Sequence, residues 1–182
     1  DELCKSLMDL SLPFRGTGGV LSLPPMSNFP HDNIKPFSDE GPKKAQVSTM
    51  FDNIAPRYDF MNRFLSAGID TIWRRKAISL FKKDKPQTIL DVATGTGDMA
   101  IKAAKILRPK KIVGIDISEG MLSFGRKKIA AKNLESIIEL HGGDGETINF
   151  PSDTFDGVMV AFGVRNFEHL EEGLREILRV MK

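Results

Sequence analysis

The spacing of hydrophobic residues changes near residue 88, and this change divides the chain. Between Lys43 and Phe81, apolar side chains recur every three or four residues, which is the spacing of amphipathic helices. Pro56 is expected to interrupt this stretch, and Gly68 is expected to divide it into two helices. From Thr88 onward, short apolar runs alternate with helical spacing. The pattern therefore predicts a helical segment followed by an α/β core.

Four short apolar runs in the second part of the chain are typical of buried strands. They cover Ile89 to Ala93, Lys111 to Ile117, Ile137 to Leu140 and Phe155 to Phe162. Helical spacing separates the first three runs, and Leu170 to Met181 predicts a closing helix. Ser118 is placed to cap the helix after the second strand. Strands joined by helices of this length form a parallel sheet with right-handed crossovers.

Composition and punctuation predict three segments. Residues 1–42 mix Pro, Gly and Ser without periodicity and are interpreted as a disordered tail. Residues 43–87 are interpreted as a helical segment on the substrate side, and residues 88–182 as a ligand-binding core. No run approaches the roughly 18 to 20 apolar residues that span a membrane. The only cysteine, Cys4, indicates a reducing compartment, so a cytoplasmic location is expected.

The sequence ILDVATGTGD, from Ile89 to Asp98, carries a strand into a tight turn and then into a helix. Gly95 and Gly97 permit the positive φ angles of such a turn, and Thr96 lies between them. A ligand is therefore predicted above the turn, although an ordinary strand-to-helix turn is the alternative. Gly95, Gly97 and Ala100 also satisfy the G-x-G-x-x-A pattern of dinucleotide-binding proteins.

Carboxylates accompany three of the predicted strands. Asp91 lies in the first strand, Asp116 ends the second, and Asp144 follows the third. An acid at the end of the second strand is suited to accept hydrogen bonds from ribose hydroxyls, although a solvated aspartate is the alternative. Asp98 at the helix N-terminus disfavours a pyrophosphate, whereas four acids suit a sulfonium and an ammonium. The predicted cofactor is therefore S-adenosyl-L-methionine, and the lack of Cys/His clusters predicts no metal site.

The charge balance bears on macromolecular partners. Twenty-six Lys and Arg residues against 24 Asp and Glu residues leave a net charge of +2, which disfavours a broad nucleic-acid-binding face. The basic cluster of Arg74, Arg75 and Lys76 follows Trp73. A solvated helix face is favoured for this cluster over contact with phosphate or lipid head groups.

Several longer motifs resemble those of a known family. The motifs are YDFMNRFLS at residues 58–66 with the later Trp73, VGIDIS, GDGETINFPSDTFD, and FGVRN at residues 162–166. Over residues 43–182 the chain resembles the ubiquinone and menaquinone biosynthesis C-methyltransferases, the UbiE family. The resemblance implies a Rossmann-like, class I S-adenosyl-L-methionine-dependent methyltransferase. Because relatives continue with Pro-Gly-Gly and further strands, the fold is expected to be C-terminally incomplete.

The resemblance also implies roles for individual residues. The substrate would be a polyprenylated quinol, either demethylmenaquinol or a 2-polyprenyl-6-methoxy-benzoquinol. Two positions depart from the family pattern, because Asp70 stands where His or Gln is usual and Ala161 where Ser is frequent. The family binds the methyl donor through positions that are occupied here by Thr96, Asp116, Asp144 and Gly145.

Three residues are predicted to act on the quinol. Arg165 follows the fourth strand, so its charge would stabilise a phenolate, with a salt bridge to Glu168 or Glu172 as the structural alternative. Tyr58 and Asn62 lie four residues apart and would order the quinol or a water. A core-edge aromatic and a helix-surface residue are the alternatives for this pair.

Two other classes of function stay open. A nucleic-acid methyltransferase is disfavoured by the charge balance and by FGVRN, which stands where a base-flipping loop such as Asn-Pro-Pro-Tyr would follow the fourth strand. A dinucleotide-binding module is the third choice. The expected partner is a polyprenyl quinol and no nucleic acid, while self-association and peripheral contact with the inner face of a membrane are left open.

Overall fold

A computed structural model describes residues 42–66 and 69–182, and it contains the parallel sheet that the alternation predicts. The predicted tail falls almost entirely outside the described residues. The four strands pair in parallel in the order β3-β2-β1-β4. They are β1 (Thr88–Val92), β2 (Lys111–Asp116), β3 (Ile138–Gly142) and β4 (Gly157–Val160).

Five α-helices surround this sheet in the described part of the chain. They are α1 (Lys43–Leu65), α2 (Ile69–Leu80), α3 (Asp98–Leu107), α4 (Glu119–Ala130) and α5 (Leu170–Val180). The predicted cap of α4 is confirmed, because the Ser118 hydroxyl accepts a hydrogen bond from the Met121 amide. No helix in the described ranges has the length and apolar character needed to cross a membrane.

The order of the strands determines where a ligand can bind. Chain order runs outward from β1 to β2 and β3 and then returns to place β4 on the other side of β1. In such sheets, ligands bind outside the carboxyl ends of the strands at the point of reversal. Ile89, Leu90 and Val92 of β1 are fully buried between the two layers of the core. The glycine turn that follows β1 therefore lies at the switch point.

The helical segment differs from expectation at Pro56. Helix α1 runs through this proline without interruption, so the predicted break is wrong. Proline removes one backbone donor, and salt bridges from Lys44 and Asp59, on either side of it, hold both halves of α1 against the core. The division into two helices is confirmed, since α1 ends at Leu65 and α2 begins at Ile69. Gly68 itself lies outside the described residues.

Candidate functional site

The turn after β1 is built from residues in the left-handed backbone region. Ala93, Gly95 and Gly97 have φ angles of 53°, 57° and 75°. Gly97 precedes the first residue of α3, Asp98, as the sequence predicts. Glycine adopts these angles without the steric cost that a Cβ atom imposes. The turn consequently brings the backbone of Gly95 to the surface of two adjoining cavities.

The larger cavity, called the main cleft, has a volume of about 680 Å³. It is partly open to solvent and lies over the carboxyl ends of the strands, where parallel sheets of this kind bind ligands. Each strand contributes to its wall through the residues that follow it. The wall includes Gly95 after β1, Asp116 at the end of β2, Asp144 and Gly145 after β3, and Ala161 and Phe162 after β4.

Asp116 is a buried acceptor in the wall of the main cleft. Its carboxylate accepts hydrogen bonds from the Gly95 amide at 2.7 Å and the Ser118 amide at 2.9 Å. Burial raises the pKa of Asp116, and the nearby charge of Asp52 acts in the same direction. An ionised carboxylate offers about four lone-pair positions. Asp116 therefore keeps acceptor capacity for ligand hydroxyls.

Asp144, which also lines the main cleft, forms a salt bridge with Lys44 of α1. The Lys44 Nζ atom lies 2.6 Å from Asp144 and 3.0 Å from Glu146. Burial opposes the charged form of Lys44, but hydrogen bonds to the two carboxylates raise its pKa overall. A Cβ atom on Gly145 would lie 2.7 Å from Phe167, so this wall is closely packed. Lys44 is thus shared between two carboxylates and offsets part of the negative charge of Asp144.

The smaller cavity, called the polar cavity, has a volume of about 380 Å³ and adjoins the main cleft at Tyr58, Gly95 and Phe162. Asp91 in its wall is 1% exposed and accepts a hydrogen bond of 2.7 Å from the Thr94 hydroxyl. Burial raises the pKa of Asp91 to about 7, against the effect of that hydrogen bond. Asp91 therefore changes its charge near neutral pH.

Arg74 faces the same polar cavity, which the sequence analysis did not anticipate. The side chain is buried, and its Nε atom has no hydrogen-bond partner. A carboxylate oxygen of Asp70 lies 3.5 Å from Nε. The solvated face expected for the basic cluster is wrong for Arg74, whereas Arg75 and Lys76 are exposed. The sequence spacing could have predicted this burial, because Asp70, Arg74 and Ile78 recur every four residues and form the buried face of α2.

A lysine on α4 links α1 to the glycine turn. Lys128 Nζ lies 2.6 Å from Asp59 and 2.5 Å from Asp98, and it donates to the Thr96 hydroxyl at 3.0 Å. Thr96 in turn donates to Asp59 at 2.6 Å. Lysines pair with two of the four aspartates that were expected to line the mouth, Asp98 and Asp144, and each lysine also pairs with a second carboxylate, Asp59 or Glu146. Acidic residues were counted from the sequence, but their distant partners were not recognisable there.

Helix α1 lies across the carboxyl edge of the sheet and is fixed by polar contacts along its length. These contacts reach loops after β1, β2 and β3 and the start of α4, so the helix roofs the main cleft. Besides the lysine and Asp59 contacts described above, they are Lys43 to the Phe167 carbonyl, Ser48 to the Ile117 carbonyl, and Asp52 with the Ser118 hydroxyl and Gly120 amide.

The three residues predicted to act on the quinol fall in different places. Tyr58 lines both cavities, and Arg165 lines the main cleft with its guanidinium 5.6 Å from the ring centre of Phe162. None of the ion pairs in the described part of the chain joins Arg165 to Glu168 or Glu172. Asn62 is half-buried and lines neither cavity. It lies one turn, about 6 Å, beyond Tyr58 along α1.

Phe162 marks the junction of the cavities with α2. Its φ angle is 64°, an uncommon conformation for a bulky side chain. The ring packs edge-on against Trp73 of α2, with the two ring centres 5.0 Å apart. Strained residues of this kind are concentrated at functional sites. The aromatic pair therefore joins the FGVRN segment to the helix that carries Arg74.

Comparison with known proteins decides the family. The profile of the ubiE/COQ5 methyltransferase family matches residues 40–182. The chain belongs to this family. Among its relatives, the demethylmenaquinone methyltransferase of Bacteroides fragilis is 51% identical over 155 residues, or 85% of this chain and 63% of the relative. The ubiquinone/menaquinone biosynthesis C-methyltransferase UbiE of Geobacter sulfurreducens is 47% identical over 141 residues, or 77% of this chain and 55% of the relative.

Solved structures support the Rossmann-like fold of this ubiE/COQ5 chain. The [4+2]-cyclase SpnF superposes with a TM-score of 0.65 at 20% identity, covering 78% of this chain and 57% of its own. A candidate S-adenosyl-L-methionine-dependent methyltransferase of Methanococcus maripaludis gives 0.58 at 24% identity, covering 81% and 64%. The chain spans about three fifths of the length of the curated relatives it matches.

The residues predicted for the methyl donor divide between the two cavities of the ubiE/COQ5 chain. Asp116, Asp144 and Gly145 line the main cleft. Asp91 and Thr96 line the polar cavity, and Gly95 lines both. Gly97 lines neither, and its left-handed conformation instead starts α3. The arrangement offers hydroxyl acceptors in one cavity and both signs of charge in the other.

Proposed function

We propose that this ubiE/COQ5 chain binds S-adenosyl-L-methionine and belongs to a protein that methylates a ring carbon of a polyprenyl quinol. The observation that carries the proposal is the polar cavity, where the buried guanidinium of Arg74 faces the same space as Asp91 beside the glycine turn. A cavity with both signs of charge is suited to the zwitterionic end of an amino acid. The proposal thus goes beyond family membership to a specific ligand.

The charged groups of the donor find matching partners across the two cavities. The guanidinium of Arg74 lines the polar cavity and would bind the donor carboxylate. Asp91 would accept from the ammonium group, and Asp116 would accept from the ribose hydroxyls. These assignments use residues on β1, β2 and α2, and the two cavities that these residues line adjoin at the glycine turn.

The same geometry favours a methyl donor over a dinucleotide. A pyrophosphate would be expected at the N-terminus of α3, where Asp98 stands and already pairs with Lys128. It would also leave Arg74 and Asp91 without matched ligand charges at neutral pH. The G-x-G-x-x-A match of the turn is therefore assigned to tight backbone geometry and not to a phosphate site.

The remaining part of the main cleft is proposed to hold the quinol. The bound donor supplies a methyl group activated by a sulfonium. Arg165 would stabilise the negative charge on the deprotonated quinol oxygen, because its guanidinium is a planar, positively charged donor that lines this cleft. Tyr58 stands between the two cavities and would order the ring. Helix α1 would exclude water from above.

The names of the relatives favour one quinol. The Bacteroides fragilis protein is named a demethylmenaquinone methyltransferase, and the Geobacter sulfurreducens protein carries both quinone names. We therefore take demethylmenaquinol as the preferred substrate and the benzoquinol as the second. A polyprenyl chain resides in the bilayer, so the protein is proposed to act as a cytoplasmic protein at the inner face of the membrane.

Calorimetry on this chain tests donor binding, with S-adenosylmethionine, S-adenosylhomocysteine and NAD as ligands. Binding of the first two and none of NAD is expected, and NAD binding alone would overturn the donor assignment. Transfer of a labelled methyl group to demethylmenaquinol is then measured for this chain and for a version extended with the remaining length of the Bacteroides fragilis relative. Donor binding without labelled quinol in either version would reject the substrate and leave the donor site standing.

A further inference from the structure

A large apolar surface covers the end of α1 and the outer side of α2. Of the ten large hydrophobic side chains found exposed in the described part of the chain, seven lie between residues 60 and 80. So many exposed large apolar side chains within one short stretch are uncommon in soluble monomers, and an exposed apolar patch marks an interaction site. The members of this surface, called the 60–80 surface, are Phe60, Met61, Phe64, Leu65, Ile69, Ile72 and Leu80.

The spacing of these residues places them together on each helix. Phe60 and Phe64 lie one turn apart on α1, and their rings stack with centres 6.1 Å apart. Their exposed fractions are 73% and 74%. Ile69 and Ile72 are three residues apart on α2 and are 62% and 68% exposed. The two short faces flank the junction between the helices, where the Ile69 amide donates to the Ser66 carbonyl.

The charges around the 60–80 surface are mostly positive. Between residues 57 and 85, six of the seven exposed charged side chains that the structure describes are basic, and they are Arg57, Arg75, Lys76, Lys82, Lys83 and Lys85. Asp84 is the exposed acid in this range, and the two other acids face inward. Asp59 pairs with Lys128 at 2.6 Å, and buried Asp70 lies beside Arg74. The surface therefore combines exposed aromatic and aliphatic side chains with an excess of positive charge.

This combination selects among the partners that an apolar surface can take. A second copy of the chain would place the same basic residues opposite one another, which is unfavourable. An anionic bilayer accepts both features, because aromatic side chains enter the headgroup region while Lys and Arg side chains reach the lipid phosphates. Each basic residue near such a surface adds to the attraction.

We infer that the 60–80 surface docks the protein on an anionic lipid bilayer, with α1 and α2 lying in the interface. The same helices carry Tyr58 and Trp73, and Trp73 contacts Phe162 at the junction of the cavities. Docking would therefore place the mouth of the main cleft beside the bilayer. The inference deepens the proposed function by giving a lipid quinol its route of entry, but lipid binding itself does not depend on methyl transfer.

Co-sedimentation with vesicles tests the inference on this chain. Wild-type protein is expected to bind vesicles of equal parts phosphatidylcholine and phosphatidylglycerol, and to bind pure phosphatidylcholine vesicles about tenfold or more weakly. Phe60→Ser/Phe64→Ser and Arg75→Glu/Lys76→Glu should each reduce binding to the mixed vesicles by about tenfold or more. Added salt should release the wild-type protein further, because it screens the basic residues.

Matched variants elsewhere separate this surface from general effects. Leu174→Ser/Leu178→Ser alters exposed apolar residues on α5, and Lys110→Glu/Lys132→Glu reverses exposed charges in loops. Both should bind vesicles like wild type. Thermal melting verifies the fold of every variant, and S-adenosylhomocysteine calorimetry reports the donor site independently of lipid.

Three outcomes would overturn the inference. The first is wild-type protein that binds neither vesicle type. The second is a folded Phe60→Ser/Phe64→Ser variant that sediments with mixed vesicles like wild type. The third is a dimer, seen by light scattering, that this variant disrupts while vesicle binding is unchanged, which would assign the 60–80 surface to a second copy. None of these results depends on whether the chain binds S-adenosylhomocysteine or methylates a quinol.

Discussion

Replacing Arg74 by methionine removes a buried charge and keeps an unbranched side chain that reaches about as far as the Nε atom. The Nε atom has no hydrogen-bond partner, and Asp70 approaches it at 3.5 Å, which is longer than a normal hydrogen bond. If the guanidinium binds the donor carboxylate, the variant loses hydrogen bonds between charged groups. Such bonds contribute about 1.5 to 3 kcal/mol, so the dissociation constant for S-adenosylhomocysteine should rise roughly ten- to 150-fold.

A truncated ligand isolates this interaction. 5′-Methylthioadenosine carries the adenosine and the thioether but no amino-acid group, so Arg74→Met should bind it like wild type. Arg75 is the matched control, because it is the adjacent arginine and is exposed. Arg75→Met should bind both ligands normally. Isothermal titration of both ligands against the three proteins gives the coupling between Arg74 and the amino-acid group directly.

The variant also disturbs a buried carboxylate. Asp70 is 7% exposed, and without Arg74 it would keep the Ser66 hydroxyl, which donates to it at 3.0 Å. Removing one partner of a buried ion pair costs about 3 to 5 kcal/mol, and the long contact here places the loss at the lower end of that range or below it. Asp70→Asn combined with Arg74→Met should recover the melting temperature but not the affinity for S-adenosylhomocysteine. Full affinity in Arg74→Met, or an equal loss for methylthioadenosine, would refute the carboxylate assignment.

Three further predictions address the other charged residues. Asp116→Ala should weaken S-adenosylhomocysteine and methylthioadenosine alike by about 2 to 3 kcal/mol in calorimetry, because both contain the ribose, and unchanged affinity would remove the assignment. The pKa of Asp91 is raised to about 7, so its neutral form is favoured on folding. The stability that Asp91 contributes to the fold is present below its unfolded-state pKa and is lost as the pH rises through 7. Ionisation of Asp91 should also tighten S-adenosylhomocysteine binding, on the order of tenfold between pH 5.5 and 7.5. Asp91→Asn should flatten both pH dependences, and a parallel slope in the variant would place the titration elsewhere. Arg165→Lys should lower quinol methylation with nearly unchanged donor affinity, and Arg165→Ala should raise the barrier by about 3 kcal/mol; a folded alanine variant with normal turnover would exclude the phenolate role.

The fold was predictable because its signals are local. The strand, the glycine turn and the start of α3 occupy the consecutive residues 88–98, and Ser118 caps a helix that begins one residue later. Alternation of apolar runs and helical spacing was then enough to predict a parallel sheet. The position of Asp116 at the end of β2 follows from the same alternation. Each of these features depends on residues that are close in the chain.

The missed features depend on distant pairs. Lys44 and Asp144 are 100 residues apart, and Lys128 reaches Asp59 across 69 residues. No pattern within α1 shows that these contacts carry the helix through Pro56. Arg74 was misjudged for a related reason, because a run of three basic residues suggests one solvated face although a helix separates neighbours by 100°. Asp70 and Ile78, each one turn away, were the better guide to its burial.

The contacts of α1 distinguish two kinds of residue among those predicted to bind the methyl donor. Asp116 uses two of its acceptor positions on backbone amides and can take ligand hydroxyls without losing either contact. Thr96 differs, because its hydroxyl proton is committed to Asp59 and its oxygen accepts from Lys128. A ligand that recruited this proton would have to break the link between α1 and the glycine turn. Thr96 is therefore better understood as the residue that holds the turn under α1, while Asp116 and Arg74 are the residues that we propose bind the donor itself.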